Sequence, residues 1–411
     1  MASIYQDNRR HLIENLNPYS LVILYAGEAP LKSGSEYFPF CVNKNFYYMT
    51  GINLAGAILV LIRINNNLEE HLFIRKDDFK KVKFEGTSLN LNQVKEISGA
   101  KEVHYLEAFP EIINSIFRYP ITLYLDLERH SFLDPDTVAQ SFAKEMEKKY
   151  PSLKINNVYN HIAKQRMVKN TYEIEQIKQA CAITAKAFKQ LLKDIKPGIS
   201  EKLLAHKFGY LAFEAGADDL AFKPIIAAGS NGLVLHGSSR DHNLALNEVL
   251  IVDIGVEVKN YKCDIARTIL VDNNTNHFNH QLIIAIIEVQ ETIIKALKPG
   301  LTFHDLNLLA AKLLANKLIE LKVINEVSEI ENIFIHSIGH HLGLDTHDAS
   351  VINEPIKENA IITIEPGIYL KNHNLGIRIE DTVLITATGC EVLSKEIPKS
   401  IIEINKLREN G

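Results

Sequence analysis

Four carboxylates and one imidazole in the C-terminal part of the chain have the types and spacing needed to hold two divalent metal ions: Asp253, Asp264, His340, Glu365 and Glu380. Each lies in a short apolar run or a loop punctuated by glycine. A buried carboxylate without a partner costs several kcal/mol even after relaxation, and four aimed into one core repel one another. A pair of cations removes the conflict, because the ions become the largest local charges. Carboxylates with a single imidazole suit Mn, Fe, Co or Zn and do not suit a thiolate site. Two such ions about 3.5–4 Å apart can share bridging carboxylates and make a bridging water acidic enough to supply hydroxide.

The elements that must position these residues form a repeat. Asp253 lies in LIVDIG, two residues before its glycine, and Asp264 near the start of CDIARTILV, and a hairpin through Lys259-Asn260-Tyr261 joins the two segments. Adjacent strands stand about 4.8 Å apart, so both carboxylates reach one small volume. IITIEPG with Glu365 and RIEDTVLIT with Glu380 repeat the arrangement. Upstream of each pair lies an echoed turn, Ile195-Lys196-Pro197-Gly198-Ile199-Ser200 and Leu297-Lys298-Pro299-Gly300-Leu301-Thr302, with Ser200 and Thr302 placed as helix N-caps. Asn170 and Glu173 open the preceding long helix as a capping box. Its apolar stripe runs from Ile174 to Leu191, and Lys196-Pro197-Gly198 stops it. Two helix-helix-hairpin units related by a pseudo-twofold axis are expected, each giving one carboxylate pair.

His340 belongs to HSIGHHLGLDTHD, a segment from His336 to Asp348 in which Gly339 and Gly343 allow close backbone approach. His347 and His236 are expected on the substrate side, donating to an oxyanion or steadying a leaving nitrogen. His341 is expected to be solvated or packed. His206, His242, His280, His304 and His373 have no comparable setting.

The first part of the chain alternates short strands and helices. Strands are expected at Leu21 to Tyr25, Ala57 to Ile64 with its hairpin partner His71 to Ile74, and Ile121 to Leu125. A helix is expected around Ile112 to Phe117. The Lys-rich stretch Lys144 to Tyr150, followed by Pro151, helps mark the end of an α/β domain. The chain is therefore divided into a domain over 1–160 and a metal-bearing domain over 161–411.

With 411 residues, 46% hydrophobic and 23% charged, the chain has an ordinary globular balance and room for two domains. A net charge of −5 argues against a nucleic-acid partner held by phosphate attraction. Cys41, Cys181, Cys263 and Cys390 are far apart and make neither a CxxC pair nor a disulfide framework. The N-terminus has no apolar signal core. The most apolar helical stretch, Leu282 to Leu297, is broken by Glu288, Gln290, Glu291 and Lys295, so no membrane span is expected and the cytoplasm is the expected location. There is no GxxxxGK, HExxH or GxSxG motif.

These residues resemble the proline-specific branch of the metallopeptidase family that includes aminopeptidase P, prolidase and methionine aminopeptidase. The matching pieces are AAGSNGLVLHG around His236, VDIG at Asp253, CDIART at Asp264, GHHLGLDTHD, TIEPGIY at Glu365 and GIRIED at Glu380. YFPFCVNKNFYYMTGI (Tyr37 to Ile52) is similar to the N-terminal domain of aminopeptidase P, which methionine aminopeptidases lack. The resemblance implies an α/β (α+β) chain, with a creatinase-like α/β domain ahead of a pita-bread catalytic domain. It implies a dinuclear-metal hydrolase that removes the N-terminal residue from peptides with proline second, by attack of a metal-bridging hydroxide. A dipeptidase acting on Xaa-Pro is the alternative; a non-catalytic peptide- or protein-binding module is the remote one.

By motif position, the resemblance gives Asp253 to one metal, His340 and Glu365 to the other, and Asp264 and Glu380 as bridges. Glu365 also takes a proton from the metal-bound water, His236 and His347 border the scissile carbonyl, and Arg378 tunes the site through a salt bridge. His336 matches a family histidine near the proline side, and Arg267 is expected to be structural. Two Mn2+ ions are the leading expectation, with Co2+, Zn2+ or Fe2+ as alternatives. The expected partners are peptides beginning Xaa-Pro and a second copy of the chain in a homodimer or higher oligomer, with no membrane. Two features depart from the family pattern. KVKFEGTSLN, with Phe84 and Gly86, stands where relatives carry a tryptophan-glycine-basic motif, and KNHNLG is a short connection between Glu365 and Glu380.

Overall fold

The computed structural model describes residues 2–78, 82–84, 86–272 and 277–409, which fall into two compact units, Met1–Gln165 and Arg166–Gly411. The first unit is built on a six-stranded mixed sheet. In spatial order its strands are Glu102–Tyr105, Asn67–Ile74, Ile58–Ile64, Tyr19–Tyr25, Thr122–Leu125 and Lys154–Asn157. The central strands, YSLVILY and ILVLIRI, pair antiparallel from Tyr19 with Ile64 to Tyr25 with Ile58. Their near-continuous apolar character fits a sheet buried on both faces. Ile64 pairs with Asn67 across a two-residue turn in which Asn65 takes φ 54°, the left-handed geometry that tight hairpins require. Helices Phe109–Ile116 and Val138–Lys149 cover one apolar face that includes Leu21, Ile23, Val60, Phe73 and Leu123. The sheet continues past Pro151, because the polar strand Lys154–Asn157 adds parallel to Thr122–Leu125 at one edge.

The second unit contains the expected repeat. Helices Thr171–Leu191 and Glu201–Ala215 precede one set of strands, and helices His277–Ala296 and Phe303–Glu320 precede the other. The Asn170–Glu173 capping box is formed. The long helix ends at Leu191, and one 3-10 turn, Leu192–Asp194, intervenes before the Lys196-Pro197-Gly198 turn. Ser200 and Thr302 both cap, accepting from the amides of Leu203 and Asp305. The echoed turns make the same backbone bonds in each half. Gly198 N–H donates to Leu244 O and Leu244 N–H to Ile199 O, both at 2.8 Å; Gly300 N–H donates to Ile356 O and Ile356 N–H to Leu301 O, also at 2.8 Å.

In the first half, Val249–Ile254 pairs antiparallel with Ile265–Leu270, and the small hairpin Val256–Val258 with Tyr261–Lys262 closes between them. In the second, Ile361–Ile364 pairs with Asp381–Ile385 around the inner hairpin Gly367–Leu370 with Leu375–Arg378. The helices of the second half pack through Leu282, Ile286, Ile293, Leu314 and Leu318 onto Ile362, Ile364, Ile377 and Val383, forming an apolar core of the unit. Among the described residues, no helix is long and apolar enough to cross a membrane.

Candidate metal centre

The four expected carboxylates lie where a strand pair gives way to its inner hairpin. Asp253 is in the ladder, paired with Ala266. Asp264 immediately precedes Ile265–Leu270, Glu365 follows Ile361–Ile364, and Glu380 precedes Asp381–Ile385. His340 comes from the glycine-bounded loop, where its own amide donates to Thr363 Oγ1 at 3.1 Å. A bond from Glu380 N–H to Ala266 O at 2.9 Å joins the two halves beside the ligands. Asp253, Asp264, His340, Glu365 and Glu380 thus line one cavity of about 540 Å³, together with His236, His336, His347 and Arg378.

The donor geometry fits a cation. Ligand atoms of Asp264, His340 and Glu380 lie within 4.8 Å of one another. His340 Nδ1–H donates to His341 O at 3.0 Å, which leaves the Nε2 lone pair directed at Asp264 Oδ2 and Glu365 Oε1, each 3.6 Å away. Burial, reinforced by His347, lowers the His340 pKa to about 4, so the ring is neutral at pH 7 and offers no proton to either carboxylate. Asp253 Oδ1 and Asp264 Oδ1 are buried without hydrogen-bond partners. All four carboxylates are pushed up by burial, Asp253 against the pull of Arg378. Glu365 reaches about 8; Asp264, repelled also by Asp253 and Glu365, and Glu380, repelled also by Asp264, stand well above the carboxylate range. Acceptors facing acceptors in a buried space are costly, and a divalent ion would supply the missing positive charge.

Arg378 crosses from the second hairpin to the first half, where its Nη2 donates to Asp253 Oδ2 at 2.5 Å and Nη1 to Tyr369 Oη at 2.8 Å. The Tyr369 hydroxyl also lies 3.0 Å from His336 Nε2, and His336 Nδ1 is 3.7 Å from Glu365 Oε2. This cluster explains Gly367, since a Cβ there would stand 2.7 Å from His336 Nε2 and 2.9 Å from Tyr369 Oη. His236 and His347 are exposed in the cavity, with ring centroids 6.2 Å apart; His347 is 4.4 Å from the His340 ring. Arg267 is fully buried: its guanidinium donates to the carbonyls of Ala266, Glu380, Ile397 and Pro398 and pairs with Asp381 at 2.8 Å. His341 is packed, at 3% exposure.

Sequence patterns did not single out Glu201, Gln290 or Tyr369. Glu201 is buried at the start of its helix and accepts from Ala228 N–H, Asn231 Nδ2 and Arg240 N–H, fixing the two ends of the loop that carries His236. In sequence it looks like any first-turn acid. Gln290 is fully buried on an apolar helix and donates to Ile364 O and Ile379 O, the carbonyls just before Glu365 and Glu380. Its signal was the lone amide on an otherwise apolar face. Tyr369 follows Gly367 at the period of two that puts both on one face of a strand.

The model for metallopeptidase family M24 matches residues 175–387, and that for the aminopeptidase P N-terminal domain matches residues 5–124. Among curated relatives, the mitochondrial intermediate cleaving peptidase 55 of Arabidopsis thaliana is 27% identical over 99% of this chain and 83% of its own length. The Xaa-Pro aminopeptidase of Escherichia coli is 26% identical over 98% and 97%. The Xaa-Pro dipeptidase of Pyrococcus furiosus is 33% identical over 63% of this chain and 72% of its own. A solved Bacillus anthracis structure described as an aminopeptidase P superposes with a TM-score of 0.96 at 34% identity, covering 100% of this chain and 98% of that one. With its α/β N-terminal domain and its metal-ready pita-bread domain, the chain belongs to metallopeptidase family M24.

Proposed function

We propose that this protein is an Xaa-Pro aminopeptidase with a dinuclear metal centre, hydrolysing the peptide bond that precedes a proline in second position. The observation that carries the reading is the convergence of four carboxylates, three of them buried, and a neutral imidazole, with orphaned acceptor atoms, on one open cavity. Asp253 would serve one ion, His340 and Glu365 the other, with Asp264 and Glu380 shared; Mn2+ is the leading candidate, and Co2+, Zn2+ or Fe2+ suit the same donors. When bound, the ions supply Lewis acidity and an acidified water.

The chain's own groups do the rest. The scissile nitrogen of an Xaa-Pro bond has no N–H, so the ring must be recognised by shape. Phe222, Pro224, Ile225 and Leu235 give the cavity an apolar wall for it. His236 and His347 face the cavity and are placed to donate to the carbonyl oxygen as it gains charge. Glu365, whose carboxyl is pushed up to about 8, is suited to take a proton and return it to the proline nitrogen as that leaves. Arg378 holds Asp253 in place from the opposite half.

Identity to the Pyrococcus furiosus dipeptidase favours a second reading, cleavage of Xaa-Pro dipeptides alone. The two part in one assay. Release of Xaa from Xaa-Pro-Yaa peptides supports the aminopeptidase, which the match to the aminopeptidase P N-terminal domain favours; turnover of Xaa-Pro only supports the dipeptidase. A homodimer or larger assembly and a cytoplasmic location, which four free thiols suit, complete the proposal.

A further inference from the structure

The loop that carries both His340 and His347 ends in a charged cluster whose centre, Asp348 with Arg166 and Lys169, is buried. Asp348 is 6% exposed. Its Oδ1 accepts from Arg166 Nη2 at 2.5 Å and from Asp345 N–H at 3.2 Å, and its Oδ2 accepts from Lys169 Nζ at 3.0 Å. Arg166 Nη2 also reaches Asp345 Oδ2 at 2.8 Å, and Lys169 Nζ donates to the Arg166 carbonyl at 2.5 Å. The side chains of Arg166, Lys169 and Asp348 are each no more than 3% exposed. The backbone at Gly343 runs so close that a Cβ there would sit 2.4 Å from Asp348 Oδ2.

This cluster reaches the metal centre through one carbonyl. Asp348 N–H donates to His341 O at 2.9 Å, and the same oxygen accepts His340 Nδ1–H at 3.0 Å. The carbonyl that orients the His340 ring is thus held by the residue that two buried cations grip. His347, the neighbour of Asp348, is fixed by the same anchor, and its loop is tied further by Thr346 Oγ1 to Ala221 O at 3.2 Å.

We propose that Asp348, clamped by Arg166 and Lys169, is a positioning residue for the metal centre, holding the loop so that His340 presents Nε2 and not Nδ1 to an ion. The inference rests on the metal-centre reading above. A partner that fixes the second nitrogen of a ligating imidazole sets its tautomer and basicity, and losing such a partner typically weakens metal binding about 10–100-fold. Asp348 touches neither ion nor substrate in this account.

The test is calorimetric titration of the metal-free protein with Mn2+, with circular dichroism confirming folding. Asp348→Asn is expected to bind Mn2+ about 10–100-fold more weakly than the parent. Stranding a buried lysine also lowers stability, so Asp348→Asn combined with Lys169→Met is measured alongside. Its thermal midpoint recovers toward that of the parent while its Mn2+ affinity stays low, a separation that a purely structural role does not produce. Parent-like affinity in either folded variant overturns the positioning role and leaves the metal-centre reading standing. A parent that binds no Mn2+ overturns both.

Discussion

The two halves of the second unit share one plan and differ in their inner hairpins. In the first half the connection is as tight as it can be: Val258 pairs with Tyr261 across Lys259 and Asn260, both at positive φ, and the ladder runs past Asp253 to Ile254. In the second half the ladder stops at Ile364, before Glu365, and the hairpin extends from Gly367 to Arg378 around a 3-10 turn. The tight half presents short aspartates from a rigid ladder. The longer half presents glutamates from beyond its ladder, and its extra length carries Tyr369 and Arg378 back to Asp253 and His336. The repeat accounts for the candidate ligands, and the departure from symmetry accounts for the contacts that Tyr369 and Arg378 make beside them.

Removing a carboxylate from the shared centre is the most severe way to break this comparison. Asp264→Ala should lower kcat/KM on an Xaa-Pro-Yaa peptide by about 10²–10³-fold or more, the scale of losing a key electrostatic group. It should leave the metal-free protein at least as heat-stable as the parent, because burial and repulsion by Asp253 and Glu365 make this carboxylate unfavourable without an ion. Thermal melts and steady-state kinetics on the same sample check both halves of that statement.

Cutting the bridge between the hairpins comes next. Arg378→Leu strands the Asp253 carboxylate, and breaking a buried pair costs about 3–5 kcal/mol. Urea unfolding should show a loss of that order without metal and a smaller one with saturating Mn2+, since an ion meets the stranded charge. Equal losses in both conditions would separate Arg378 from the centre.

The pH dependence sharpens the role of the longer half. The Glu365 pKa is raised by burial from 4.5 to about 8. A carboxyl that holds its proton more tightly when folded adds stability that is full below its unfolded pKa and is lost as pH rises through its folded pKa. The metal-free protein should therefore lose stability from about pH 4.5 towards pH 8. Because an ion must displace that proton, Mn2+ affinity should climb over the same range. Titrations in buffers of different ionisation enthalpy give the protons released.

Tyr369→Phe is the mildest change. It removes the hydroxyl between Arg378 and His336 and keeps the ring, so about 1 kcal/mol, or a several-fold drop in turnover, is expected. Kinetics of this variant beside Arg378→Leu show whether the hydroxyl acts through the arginine.

Much of the centre was legible because its signals are local. An acid two residues before a glycine, a cap before a helix and an echoed KPG turn each fit within a few residues, and their recurrence exposed the symmetry. What escaped reading acts over long separations. Arg166 meets Asp348 across 182 positions and Gln290 meets Ile379 across 89, so no window of sequence contains both partners. Lys154–Asn157 escaped for another reason: as a partly exposed edge strand reading KINN, it lacks the alternation that marks a half-buried strand. The polar stretch after Lys144 thus resembled a domain's end, although one more strand of the same sheet follows it.

The central claim is that the two halves together make one paired-ion site. Calorimetric titration of the metal-free protein with Mn2+ tests it most directly. The account predicts two equivalents bound per chain, with that stoichiometry destroyed when Asp264 and Glu380 are both replaced by alanine. No binding by the parent, or two equivalents still bound by the double variant, would contradict it.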